Sequence, residues 1–448
     1  MMVYAGLTVF ILPFADVSRG QQTNPPPVYR LDDCLNIAGK GSPVIQEALQ
    51  EIEVAEGRKL QAVSDALPHL EAEAGYTYYD NIDYFEGNIP LNQHDNYSLS
   101  LRLEQSIYRG GQVFAGIKAA VLYSDYSEVT LEDAQERVKY TVKELFYLLL
   151  LAQEVVKVRE ETVGHMKNYL ETTVEKYDQG ASSEFEVITA RVKLANSYPP
   201  LIEAENRVEI LKTSLAREMG VQGQEFQIEG YLLYIPFTAD LGELQETGRE
   251  HRALLLQTRI NEEMLVENTR VASAGYQPNL SLFASYEGER PQMGFPPEDK
   301  FEFEWQAGAT LTWSLFDGLL TPGRVKENRG LLEQARIKTK DTERVVQLEI
   351  KQSYLNLKSA FRTLQSQEEV VNQAEKAYQI AQIRWENGIS TYLELNDAEL
   401  DLSEARINRL EALAKYRIAL AEVERAVGLD LEELKALLEK TDAAESKT

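Results

Sequence analysis

The sequence predicts a mostly α-helical chain built as two copies of one unit, each copy carrying a β-hairpin that must join hairpins of other copies to close a barrel. Three observations carry this. From Phe301 to Leu315 apolar and polar residues alternate strictly, which places Phe301, Phe303, Trp305, Ala307, Ala309, Leu311, Trp313 and Leu315 on one face of a strand. After Pro322-Gly323 the chain runs to Gly388 with no proline and only Gly330, a helix of roughly 65 residues and about 100 Å, too long for a compact globule. The segment from Tyr97 to Val221 then aligns without a gap on Trp305 to Leu429 at an offset of 208, matching Gly110 to Gly318, Tyr177 to Trp385, Gly180 to Gly388 and Gly220 to Gly428.

Taken in order, residues 1–28 read as a signal peptide and linker, an apolar run over 1–15 followed by QQTNPPP. The first repeat spans 29–221. Its helical pattern from Leu31 to Ala66 is interrupted by Gly39, Gly41 and Pro43, and Cys34 in LDDC reads as a buried helix residue, not a lipid anchor. A β-hairpin over 68–106 follows Pro68, with Leu70, Ala72, Ala74, Tyr76 and Tyr78 alternating in one strand and Tyr97, Leu99, Leu101 and Leu103 in the other. A long helix is expected over 112–179. Gly180 ends it, and Ser182 or Ser183 caps a return helix over 182–219 with Glu186 in its first turn. Pro199-Pro200 is expected to break that return arm, because an interior proline removes a hydrogen bond and clashes with the preceding turn. Residues 222–240 connect to the second repeat at 241–429, with a hairpin over 278–316, a long helix over 320–387 and a return helix over 391–427. A tail at 430–448 ends in DAAESKT.

The long helices share a seam. Val142, Leu149, Val156, Val163, Leu170 and Tyr177 fall every seventh residue, as do Ile350, Leu357, Leu364, Val371, Tyr378 and Trp385. A repeat of seven drifts on a straight helix, so both helices are expected to wind left-handedly against neighbours. On the last helix Ala398, Ala405, Ala412, Ala419 and Ala426 form a small-residue stripe that allows close approach.

Composition narrows the function classes. A net charge of -26 argues against a nucleic-acid partner, which needs clustered Lys and Arg. One cysteine excludes an intramolecular disulfide, and His69, His94, His165 and His251 show no metal-ligand spacing. No HExxH, Walker A, GxGxxG or GxSxG motif is present, so no catalytic residue, cofactor or metal is expected, and Asp32-Asp33 and Glu262-Glu263 read as solvated helix faces. The apolar run Leu145 to Ala152 is far short of the roughly 18 to 20 residues a membrane helix needs. If the chain crosses a membrane it does so with strands. Unpaired strand edges find no hydrogen-bond partner in lipid, and four strands cannot enclose a lumen, so several copies must share one barrel with aromatic and aliphatic residues toward lipid.

The duplication, the proline before each first strand (LPHL and QPNL), the strand endings SIYRG and SLFDG, and the tip segments YDQGASSEFEVITAR and WENGISTYLELNDAE resemble the TolC family of outer-membrane efflux proteins over roughly residues 29–430. The resemblance implies a homotrimer in which twelve strands from three chains form an outer-membrane β-barrel, continued by a coiled-coil tunnel across the periplasm of a Gram-negative bacterium. It implies the exit duct of a tripartite efflux pump or type I secretion system, with a periplasmic adaptor, an inner-membrane transporter and outer-membrane lipid as partners. Loops 79–95 and 287–300, with Asn88 and Gln292, would then face the exterior. The family's periplasmic constriction carries over to Trp385, Glu394 and Asp397, and its basic position after the tip glycine is Ser390 here, a departure from the pattern. Gly180, Ser182, Gly388 and Ser390 stand at the tips that would meet the adaptor. The competing classes are a periplasmic coiled-coil adaptor, which would carry one helical hairpin and not two, and a purely structural coiled coil, which leaves the strands unexplained.

Overall fold

The computed structural model describes residues 26–436 apart from 86–88, 91–92 and 291–299. The expected leader, Asn88, Gln292 and the end of the tail therefore lie outside the described residues.

A short strand β1 (Val28–Tyr29) leads into α1 (Leu31–Gly41) and α2 (Pro43–Ser64), divided at Ser42 because Pro43 can start a helix but not continue one. Then come β2 (His69–Tyr78), the small pair β3 (Tyr84–Phe85) and β4 (Ile89–Pro90), and β5 (Asp95–Arg109). The helices α3 (Gln112–Asp178) and α4 (Glu184–Met219) form the first helical hairpin. After β6 (Gln227–Ile228) the second copy supplies α5 (Leu241–His251), α6 (Ala253–Ser273), β7 (Asn279–Arg290), β8 (Glu302–Thr312), α7 (Leu320–Glu386) and α8 (Tyr392–Val427). The helices α3 and α7 each contain 67 residues, and α4 and α8 each contain 36, so the duplication extends to element length.

The four long strands make one antiparallel sheet in the order β2-β5-β7-β8, with β5 of the first copy paired to β7 of the second. One face carries Leu70, Ala72, Leu101, Leu103, Tyr286, Trp305 and Leu311; the other carries Glu71, Glu73, Arg102, Glu104, Glu287, Glu289, Glu302 and Glu304. The large apolar residues stand exposed, Trp305 at 78 %. Among the described residues no helix is long and apolar enough to cross a membrane.

Two segments depart from expectation. The helix α4 continues through Pro199 and Pro200 without a break. Ala195 and Asn196, whose carbonyls lose their helical donors there, lie on the exposed side, open to solvent, while the other face stays packed on α3. The strand β8 stops at Thr312, short of Leu315. The Trp313 indole nitrogen donates to the Tyr276 carbonyl at 3.2 Å, turning the chain out of the sheet.

The core sits near the middle of the long helices α3 and α7. In the first copy Cys34, Val142, Leu149, Leu215, Met219 and Phe226 pack together, and burial pushes the Cys34 thiol up to about 12. In the second, Leu244, Val346, Ile350, Tyr416, Leu420 and Val423 do so. Ala412, Ala419 and Ala426 of the alanine stripe lie in this core, and Ala405 is buried further along α8. Buried Arg252, between α5 and α6, joins the copies by pairing with Glu136 of α3 at 2.9 Å and donating to the Arg425 carbonyl of α8 at 2.8 Å. Positive φ recurs at matched places: Gly111 precedes α3, and its counterpart before α7 is Leu319 at φ 71°. That leucine is held where glycine is preferred, and Asp317 accepts from the Thr321 amide at 2.8 Å to fix the turn.

Candidate functional site at the helical tips

At the far end from the sheet the two helical hairpins turn. In the first, Gly180 adopts φ 74° and donates to the Tyr177 carbonyl at 2.9 Å, while Ala181 donates to the Lys176 carbonyl at 2.8 Å. Ser183 then caps α4 in a closed capping box: the Glu186 amide donates to its hydroxyl at 3.3 Å, and its own amide donates to the Glu186 carboxylate at 2.9 Å. The Ser182 hydroxyl also donates to Glu186. These hydrogen bonds from Ser182 and Ser183 hold the Glu186 carboxyl below its usual range.

The second tip has the same backbone and different side-chain traffic. Gly388 adopts φ 70° and donates to the Trp385 carbonyl at 2.9 Å, and Thr391 caps α8 by accepting from the Glu394 amide at 3.4 Å. Here the carboxylate does not close the box. Glu394 faces Arg384 at 3.6 Å, with both groups about half exposed. Asp397 lies exposed one turn along. Ser390 reaches only the Thr391 carbonyl, at 3.5 Å. The cation opposite Glu394 thus comes from before the turn, at Arg384, and not from position 390.

Trp385 is half-buried in an aromatic cluster that spans both hairpins. Its ring meets Tyr392 edge-on at 6.0 Å, and Lys176 of α3 sits 5.0 Å from its centroid. Tyr392 stacks on Tyr169 of α3 and lies 5.8 Å from Lys193 of α4. Burial, with the nearby Glu399 charge, raises the Tyr392 hydroxyl well above its usual range. Deeper along the same contact, His165 of α3 pairs with Glu399 of α8 at 3.0 Å, and Thr162 meets Ser403 at 3.3 Å. The structure therefore brings Trp385 into the contact between hairpins, leaves Glu394 and Asp397 on the open surface, and assigns Gly180, Ser182 and Gly388 to turn geometry. Sequence reasoning missed Arg384, Tyr169, Tyr392, His165 and Glu399. A usable signal existed where the copies disagree: at the offset of 208, Tyr392 replaces Glu184 and Glu399 replaces Arg191.

The family described as "Outer membrane efflux protein" matches residues 35–221 and again 245–429. The chain belongs to that family. Similar relatives include the outer membrane protein TolC of Escherichia coli, 21 % identical over 414 residues and covering 88 % of this chain and 82 % of TolC. The cobalt-zinc-cadmium resistance protein CzcC of Cupriavidus metallidurans is 22 % identical over 409 residues, covering 89 % of this chain and 90 % of CzcC. Among solved structures the Campylobacter jejuni CmeC outer membrane channel superposes with a TM-score of 0.76 at 17 % identity, covering 97 % of each chain. This outer membrane efflux protein is a channel of the Gram-negative outer membrane that extends into the periplasm, and it is not an enzyme. Its fold is the mixed helical and β-barrel architecture of the trimeric efflux channels.

Proposed function

We propose that three copies of this chain close one conduit whose helical tips form a carboxylate-lined, cation-selective gate at the periplasmic mouth. The observation that carries this is the pattern of unsatisfied surfaces. Within the chain β5 pairs with β7 and α3 packs on α8; applying the duplication again leaves β8 to pair with a second chain's β2, and α7 to pack on a second chain's α4. Both edges are unpaired here, and Phe185, Ile188, Val192 and Ile202 on α4 and Leu348, Leu355, Ile380 and Ile383 on α7 stand exposed. Three such joints complete twelve strands.

In this arrangement Glu394 and Asp397 share a helix face and would bring six carboxylates around the narrowing lumen, favouring cations. Trp385 anchors the constriction through the aromatic cluster. The turns at Gly180, Ser182, Gly388 and Ser390, flanked by exposed Phe185, Ile389 and Leu393, meet a periplasmic adaptor, which couples the duct to an inner-membrane transporter. Residues 1–28 serve as a signal peptide and linker, and 29–221 and 241–429 act as the two repeats. The test is a planar-bilayer recording of wild type and Glu394→Gln with Asp397→Asn. Cation selectivity and block by multivalent cations from the periplasmic side are expected in the first and lost in the second; unchanged selectivity and block would remove the carboxylates from the gate.

A further inference from the structure

The contact between α3 and α8 pairs Lys143 with Glu424 at the end away from the tips and reaches His165 and Glu399 toward the tips. There a carboxylate has been taken almost out of water: the Glu399 side chain is 10 % exposed, and its neighbour His165, 3.0 Å away on α3, is 49 % exposed. A buried carboxylate requires compensation, and here it comes from the one side chain whose ordinary titration falls between about pH 5 and 8. The other groups around Glu399 do not supply it. From α3 come Glu161 and Tyr169, from α7 Glu375 and Tyr378, and from α8 itself Tyr392 and Arg406. Arg406 is engaged by Glu161 at 3.5 Å and Glu375 at 3.6 Å, and Lys193 of α4 stands over Tyr392. A cavity of about 430 Å³ bordered by Glu161, His165, Tyr378, Gln382, Glu399 and Arg406 opens beside the pair. At the offset of 208, His165 corresponds to Gln373 and Glu399 to Arg191, so the pair belongs to one of the two kinds of inter-hairpin contact only.

We infer that His165 and Glu399 form a proton-operated clasp that holds the second hairpin against the first and releases as the surrounding medium becomes alkaline. While the pair retains one proton it carries no net charge and keeps its hydrogen bond, whichever partner holds the proton. Further acid keeps Glu399 neutral, so the contact still buries no charge. Loss of the last titrating proton leaves an uncompensated carboxylate in the interface, with Glu161 and Glu375 nearby. Desolvation raises the Glu399 carboxyl above its usual range, and the His165 charge opposes that rise. A group whose folded pKa is raised contributes stability below its unfolded value and loses it as pH climbs through the folded one, so the clasp fails on the alkaline side. The clasp concerns contact between hairpins; its effect on conductance rests on the gate proposed above.

The experiment separates the two. Nitroxide labels on exposed Glu160 of α3 and exposed Asp401 of α8 report the inter-hairpin distance in the purified assembly from pH 5.5 to 8.5. A short, narrow distribution is expected at the acid end and a longer, broader one at the alkaline end. Glu399→Gln, which removes the buried charge, should flatten the pH profile and stay short throughout, whereas His165→Gln, which keeps a donor without the compensating charge, should leave a pH dependence with a displaced midpoint. A wild-type distance independent of pH overturns the clasp, and so does a pH shift that persists in Glu399→Gln. Distances that follow pH while bilayer conductance does not would keep the clasp and remove the gate.

Discussion

The two helical tips have the same backbone and opposite habits. The first closes on itself: Ser182, Ser183 and Glu186 satisfy one another within a single turn. The second reaches outward, with Glu394 turned to Arg384 and with Tyr392 and Trp385 packed against Tyr169, Lys176 and Lys193 of the first hairpin. A self-contained turn keeps its shape whatever its neighbour does, whereas a turn fastened to a neighbour can be unfastened. Duplication supplied two equal tips, and side-chain divergence made one self-contained and fastened the other to its neighbour.

The largest difference is expected at Tyr392. Tyr392→Ala removes a partly buried ring from a contact between hairpins and should cost about 2 to 4 kcal/mol of local stability, read as faster amide exchange over both tips, whereas Glu184→Ala at the matching position should change little. Next, Ser183→Ala opens the closed capping box and should cost about 1 kcal/mol, with loss of protection confined to the first turn of α4; Thr391→Ala, where the box is only half formed, should cost less. Equal losses at both tips would contradict the contrast. A smaller effect is expected far from the tips, where Leu319→Gly relieves a left-handed leucine at some cost in chain entropy, for a net gain of under about 1 kcal/mol seen as a small rise in thermal midpoint. The smallest is a pH effect. Glu186 has its folded pKa lowered by the serine hydrogen bonds, so its contribution is present above the unfolded carboxylate range and lost as pH falls through the lowered value; amide protection factors at the first tip should fall in acid, and Ser182→Ala with Ser183→Ala should abolish that dependence.

Legibility in the sequence followed the range of the interactions. Turn glycines act within a few residues, and Gly180, Gly220, Gly388 and Gly428 all take the left-handed conformation that ends a helix. Strand faces follow from a period of two, and the register pairs Leu101 with Tyr286 on one face and Glu287 with Glu304 on the other. Pro199-Pro200 departs from local expectation because the packing of α4 along α3 holds the helix on either side against the local cost of a proline. The end of β8 departs for a similar reason, since Trp313 leaves the alternation to bond Tyr276 from another element. At the candidate gate, Trp385, Glu394 and Asp397 could be named from spacing, but their partners could not. Arg384 and Glu394 meet across a turn, and Tyr169 and Tyr392, like His165 and Glu399, lie more than two hundred residues apart.

The pairing of β5 with β7 has a consequence in time. Tyr97 lies opposite Arg290, so this ladder forms only after roughly two hundred residues of intervening chain have been brought back, whereas α3 with α4 and α7 with α8 join across turns of a few residues. Local helical contacts form in about microseconds to milliseconds and non-local strand pairing takes milliseconds to seconds, so the two helical hairpins should be standing before the sheet exists. The helical end then acts as a jig that brings the strands into register, and the apolar face of the sheet is the last surface assembled and the one exposed for the shortest time.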